Sequence, residues 1–120
     1  KGIAVTVLSI NHRNNIEEFL KQHNMLGFVS DILTSNVILG KHATLRKLLK
    51  SQKLNKNEVI YVGDETRDIL VCQKVGVPII AVTWGFNSAE GLLPHNPNYI
   101  ATDSNELYKI IDNLLIGSNI

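Results

Sequence analysis

The 120-residue sequence contains a single cysteine, Cys72, so no disulfide can form within the chain. Cys72 falls in an apolar helical pattern, where a small core side chain and a reducing compartment are the expected role and setting. An excess of one charge is also missing: 12 Lys and Arg stand against 11 Asp and Glu, for a formal net charge of +1. That balance offers no argument for a nucleic-acid or membrane-surface partner. No apolar run approaches the roughly 20 residues of a membrane-spanning helix, and the start lacks a signal-peptide pattern, so a cytoplasmic location is expected. Aromatic residues are few, at 6%. None is interleaved with the basic stretch of Arg46, Lys47, Lys50, Lys53 and Lys56, so leucines at helical spacing make it an ordinary solvated helix face. The four histidines, His12, His23, His42 and His95, show no metal-ligand spacing. With no repeat, low-complexity tract or linker, residues 1–120 read as one small domain.

What is present is an alternation of short apolar runs and helical patterns. Residues 3–8 open as a β-branched strand. A helix follows, with Ile16, Phe19 and Leu20 on one face and Asn14 placed like an N-cap before Glu17. Residues 30–34 give a second strand. A loop over residues 34–40 leads to Lys41, and Leu45, Leu48 and Leu49 mark a second helix. Val59 to Val62 read as a strand buried on both faces. Ile69, Cys72 and Val75 mark the inner face of a third helix, with Gly76 as its stop. Residues 77–83 form a strand with Pro78 near its start, followed by a loop carrying Trp84 and Phe86. A last strand is expected at residues 99–101, and Asp103 with Glu106 opens a helix whose stripe is Leu107, Ile110, Ile111, Leu114 and Leu115. Strands alternating with helices imply an α/β fold: a three-layer, doubly wound parallel sheet.

The stretch Gly63-Asp64-Glu65-Thr66-Arg67-Asp68 carries the chemistry. Ligands of parallel sheets collect outside the carboxyl ends of the strands, and here a glycine ends a strand and two carboxylates follow. With a helix starting near Thr66, Asp64 lies in the turn ahead of it and Asp68 on its first turn. The alternative is an acidic helix N-terminus that favours the dipole and needs no metal. Ser9 and Asn11 follow the first strand, and Lys41 follows the second; in a doubly wound sheet such loops lie side by side. A hydroxyl, an amide, an ammonium and a magnesium ion held by one aspartate would surround a phosphoryl group in transfer. Ser9 could instead cap a helix, and Lys41 could be one more cation on the basic face. Trp84 and Phe86 could line the pocket or pack their own loop.

The ordered set Leu8-Ser9-Ile10-Asn11, Lys41, Gly63 to Asp68, Gly76-Val77-Pro78 and Val82-Thr83-Trp84-Gly85-Phe86 resembles the second half of a haloacid dehalogenase-like hydrolase, closest to the phosphoglycolate phosphatase type. The resemblance covers essentially the whole chain. It implies that Ser9 and Asn11 bind the phosphate, and that Lys41 holds the negative charge of nucleophile and phosphate. It further implies that Asp64 binds Mg2+ and that Asp68 orients Lys41 and supports the metal site. The reaction implied is hydrolysis of a small phosphorylated metabolite by way of an aspartyl-phosphate. Two departures stand out. His42 follows Lys41 where the family usually has proline, and the family's nucleophile motif, Asp-x-Asp, is absent from these 120 residues.

The chain therefore reads as the C-terminal portion of such a core, without its nucleophile strand or cap, and inactive alone. Without that central strand, the edges at residues 3–8 and 59–62 would open. The expectation is that they pair with each other, recruit the missing piece from another chain, or self-associate. The competing reading is a non-catalytic phosphate-binding or receiver-like module. A receiver needs an acidic pair after its first strand and a phosphorylatable aspartate after its third, an order that Ser9 and Asn11 with Asp64 and Asp68 reproduce poorly.

Overall fold

The computed structural model of the chain describes residues 4–9, 12–34, 40–85 and 87–118. It divides into two compact units, Lys1–Ser51 and Gln52–Ile120, each an α/β arrangement with parallel strands.

In the first unit, β1 (Thr6–Ser9), α1 (Arg13–Gln22), β2 (Asp31–Thr34) and α2 (Gly40–Ser51) follow in order. β1 and β2 pair in parallel from Thr6 opposite Asp31 to Ser9 opposite Thr34. Parallel neighbours need a crossover, and α1 is that crossover. Its Ile16 and Leu20, one turn apart, bury against Ile32, with Val7, Leu26 and Val29 around them. Arg13 Nη1 donates to the Ile32 carbonyl at 2.9 Å, which ties the start of the helix to the strand.

Two expectations for this helix are corrected. The N-cap is His12 rather than Asn14, because the His12 carbonyl already accepts the N–H groups of Asn15 and Ile16, at 3.1 and 3.2 Å. Phe19 lies on the flank of the apolar stripe, exposed, and its ring stacks on His23 with centroids 4.3 Å apart. The first strand also starts later than expected, with Val5 exposed ahead of it. Ile3 lies outside the described residues.

In the second unit, β3 (Tyr61–Gly63), α3 (Thr66–Val75), β4 (Ile79–Val82), α4 (Ala89–Leu92), β5 (Tyr99–Ala101) and α5 (Ser104–Ser118) build a parallel sheet in the order β3-β4-β5. All four residues of β4 are buried, which is what a central parallel strand requires. Their alternation divides the core in two. Ile79 and Ala81 pack with Ile69 and Cys72 of α3 and Leu92 of α4. Ile80 and Val82 join Ala101 under Leu107, Ile110, Ile111 and Leu114 of α5. Helix, sheet and helix make three layers, and Cys72 is fully buried in one of them.

Local chemistry closes the ends of these elements. Gly76 ends α3 at φ +92°, a left-handed conformation that side chains resist, and its N–H returns to the Cys72 carbonyl at 2.7 Å. Asp103 Oδ1 accepts the Glu106 N–H at 2.8 Å, while Glu106 Oε1 accepts both the N–H and the hydroxyl of Thr102, at 2.6 Å. Those bonds hold the Glu106 carboxyl below its usual range. Leu115, expected in the α5 stripe, has its side chain outside the described residues.

The expectation of a strand over Val59 to Val62, buried on both faces, is corrected. The ladder runs from Tyr61 to Gly63, and Val62 is 43% exposed. Val62 pairs in register with Ile80 and shares its face, yet lies outside the cluster that α5 seals. Among the described residues β3 has one hydrogen-bonded neighbour, β4, and β1 has one, β2.

Candidate active site

Ser9 is the last residue of β1, and Lys41 sits half-buried in the first turn of α2, both in the first unit. Asn11 and Phe86 lie outside the described residues. The second unit brings Asp64 and Asp68 together around the start of α3, the former in the turn directly after β3 and the latter on the helix's first turn.

The environments of the two acids differ. Asp68 is 3% exposed, and both its oxygens are engaged. The Tyr61 hydroxyl donates to Oδ1 at 3.1 Å and the Glu65 N–H donates to Oδ2 at 3.2 Å. The second bond satisfies one of the amides that a helix start leaves without an internal partner. The Tyr61 phenol is pushed far above its ordinary range, first by burial and then by the Asp68 charge. It therefore stays a donor across any working pH. Gly63 makes the geometry possible: a Cβ there would lie 2.7 Å from both Cβ and Oδ2 of Asp68. Its bare backbone is a matter of clearance.

Asp64 is half-buried and is held by the turn that follows β4. Its carbonyl accepts the Asn87 N–H at 2.9 Å. Asn87 Oδ1 accepts the Thr66 N–H, the first of α3, at 3.1 Å. Between them in the fold, Gly85 approaches so closely that a Cβ would stand 2.5 Å from Asp64 Cβ and 2.6 Å from its Cγ. Trp84 is exposed beside this contact. An exposed ion pair, Arg67 Nη2 to Glu65 Oε1 at 3.1 Å, lies on the same turn.

Among the described residues, no cluster of three or more His, Cys, Asp and Glu side chains could enclose a metal ion. The donor set suits an ion that takes a single protein carboxylate and completes its shell with water and substrate oxygens, as magnesium does. Asp64, half-buried in the turn after β3, is the acid that could supply that carboxylate, while Asp68 is buried and accepts bonds from Tyr61 and Glu65. Sequence reasoning missed Tyr61, Gly85 and Asn87. The only available signal was the glycine and amide just past a strand end, where close backbone approach is common.

Comparison with known proteins agrees with the geometry. The family model described as haloacid dehalogenase-like hydrolase matches residues 1–82. Phosphoglycolate phosphatase of Synechococcus elongatus is 32% identical over 115 residues, 96% of this chain and 54% of the relative. Its counterpart in Vibrio parahaemolyticus is 24% identical over 113 residues, 92% of this chain and 50% of the relative. Among solved structures, a predicted phosphatase from Clostridium acetobutylicum superposes with a TM-score of 0.83 at 26% identity, covering 93% of this chain and 53% of that one. A predicted phosphoglycolate phosphatase from Haemophilus somnus, 19% identical with a TM-score of 0.81, shares the fold over 92% of this chain and 50% of its own. The chain thus spans about half the length of the relatives it matches. Parallel β/α units ending in the Asp64 turn, and a family match that runs through that turn, lead to one assignment: this chain belongs to the haloacid dehalogenase-like hydrolases.

Proposed function

We propose that this chain serves a magnesium-dependent phosphatase that hydrolyses a small phosphomonoester, of which 2-phosphoglycolate is the first to try. The observation that carries the reading is Asp64, half-buried at the carboxyl end of β3, within a chain 32% identical to a phosphoglycolate phosphatase.

Asp64 would hold the magnesium ion, which when bound supplies positive charge to the phosphate oxygens. Ser9 and Asn11 donate hydrogen bonds to the phosphate, and the Lys41 ammonium neutralises charge on phosphate and nucleophile. Asp68 orients Lys41. The nucleophile is an aspartate outside these 120 residues, and its carboxylate attacks the phosphorus. The phosphorus–oxygen bond to the organic group breaks, the alcohol leaves, and water then hydrolyses the acyl phosphate to inorganic phosphate and restores the carboxylate. The enzyme works in the cytoplasm, where Cys72 stays a thiol. No observation favours the receiver-like module.

The test is phosphate release from 2-phosphoglycolate with and without magnesium, by a protein that joins this chain to an upstream segment bearing an Asp-x-Asp motif. Magnesium-dependent turnover that falls at least about 100-fold in Asp64→Asn is expected. Turnover unchanged by chelation, or by Asp64→Asn in a folded protein, would refute the reading.

A further inference from the structure

One residue bonds both flanks of the Asp64 turn. Asn87 donates its backbone N–H to the Asp64 carbonyl at 2.9 Å and accepts the Thr66 N–H on its side-chain oxygen at 3.1 Å. Two residues earlier, the Gly85 Cα lies against the Asp64 side chain, and a methyl group there would overlap Oδ2. Neither contact is part of the capping of α3 by Asp68, which uses the Glu65 N–H.

Two bonds to residues on either side of Glu65 restrain the Glu65 dihedrals between them and hold the peptide plane that carries the Asp64 Cα, which keeps the Asp64 side chain against Gly85. The Gly85 surface then limits which side-chain rotamers the carboxylate can take. We propose that Asn87 is a positioning residue for Asp64: the turn after β4 aims the carboxylate that the turn after β3 presents. The inference rests on the reading of Asp64 as the metal-binding acid. Magnesium tolerates little departure from octahedral geometry, so a carboxylate free to rotate would hold it less well. The backbone bond survives Asn87→Ala, but the bond to Thr66 does not, and that separates the two contributions.

The experiment uses the full chain, isotopically labelled, with two readouts. The first is metal-free: three-bond couplings to Asp64 Cγ, which report its χ1. The second is a Mn2+ titration, read as paramagnetic broadening of the amides of residues 63–66. The unsubstituted chain should show one χ1 rotamer. Asn87→Ala should average it and raise the half-broadening concentration about tenfold, in the range seen when partners that orient a metal ligand are removed. Asn87→Asp keeps an acceptor for the Thr66 N–H and should restore both. Gly85→Ala should move χ1 to a different well. The amide shifts of Ile80 and Ala101 monitor the fold in every variant.

An unchanged Asp64 rotamer in folded Asn87→Ala overturns the proposal, whatever manganese does. A rotamer lost in Asn87→Ala and regained in Asn87→Asp supports it. If that pattern appears while manganese broadens nothing near Asp64 in the unsubstituted chain, the positioning stands and the metal reading falls.

Discussion

Tyr61→Phe removes one oxygen and tests the account of Asp68 at two pH values. The lost bond runs from the phenol to a buried carboxylate, Tyr61 hydroxyl to Asp68 Oδ1 at 3.1 Å. A hydrogen bond to a charged group contributes about 1.5–3 kcal/mol, so near pH 7 the variant should be destabilised by about 2 kcal/mol. With a urea m-value of about 2 kcal/mol per molar, the unfolding midpoint falls by about 1 M. The difference should then vanish in alkali. Folding raises the Tyr61 pKa well above its ordinary value of about 10. Below pH 10 both states keep the proton and the stabilisation is fully present. Above it the unfolded chain ionises while the folded one does not, so stability is lost as pH rises. The slope is about 1.4 kcal/mol per pH unit for one proton, and about 2 kcal/mol is therefore consumed by about pH 11.5. Urea titrations of both proteins at pH 7, 10, 11 and 11.5 measure this, because other titrating groups cancel in the difference. A gap that stays constant from pH 7 to 11.5 would show that Tyr61 does not keep its proton in the fold, and the reasoning would fail.

Two further changes probe the packing around the site. Gly63→Ala puts a methyl 2.7 Å from Asp68 Cβ and Oδ2 and should cost about 1–3 kcal/mol by forcing that carboxylate to shift. Recovery of that loss in Gly63→Ala with Asp68→Asn would not be expected, since the side chains are nearly equal in size. Ile80→Ala, at a fully buried position on the central strand, should lower stability by about 2–5 kcal/mol in the same denaturation assay. A loss under 1 kcal/mol would mean that α5 does not seal that face.

The elements legible from pattern alone were those whose local chemistry agrees with their packing. Ile69, Cys72 and Val75 lie on the buried side of α3 at the spacing expected, and Gly76 ends the helix in the conformation that glycine permits. Asp103 and Glu106 open α5 as read. Misreadings arose where tertiary position overrides pattern. Asn14 has the chemistry of a cap but sits inside a turn already closed on His12. Val62 has the side chain of a buried strand, yet its face is covered further along by α5. The candidate acids were legible because a glycine and two carboxylates past an apolar run are all local. Tyr61, Gly85 and Asn87 were not, because their value lies in meeting residues up to 23 positions away in sequence, as Asn87 meets Asp64.

Asp64 and Asp68 are four residues apart and chemically identical, and the fold gives them different duties through their donors. Asp68 accepts the Tyr61 hydroxyl and the Glu65 N–H at near-complete burial, so its charge also helps to start a helix. Replacing it exposes an amide and a phenol to an apolar core, and loss of stability should accompany any loss of activity. Asp64 instead meets its surroundings through its backbone carbonyl, which Asn87 engages, and through a side chain resting on Gly85. Its substitution by asparagine alters neither contact. If Asp64 holds the metal as proposed, Asp64→Asn should abolish magnesium-dependent turnover of the joined protein, whereas Asp68→Asn should lower its melting temperature as well.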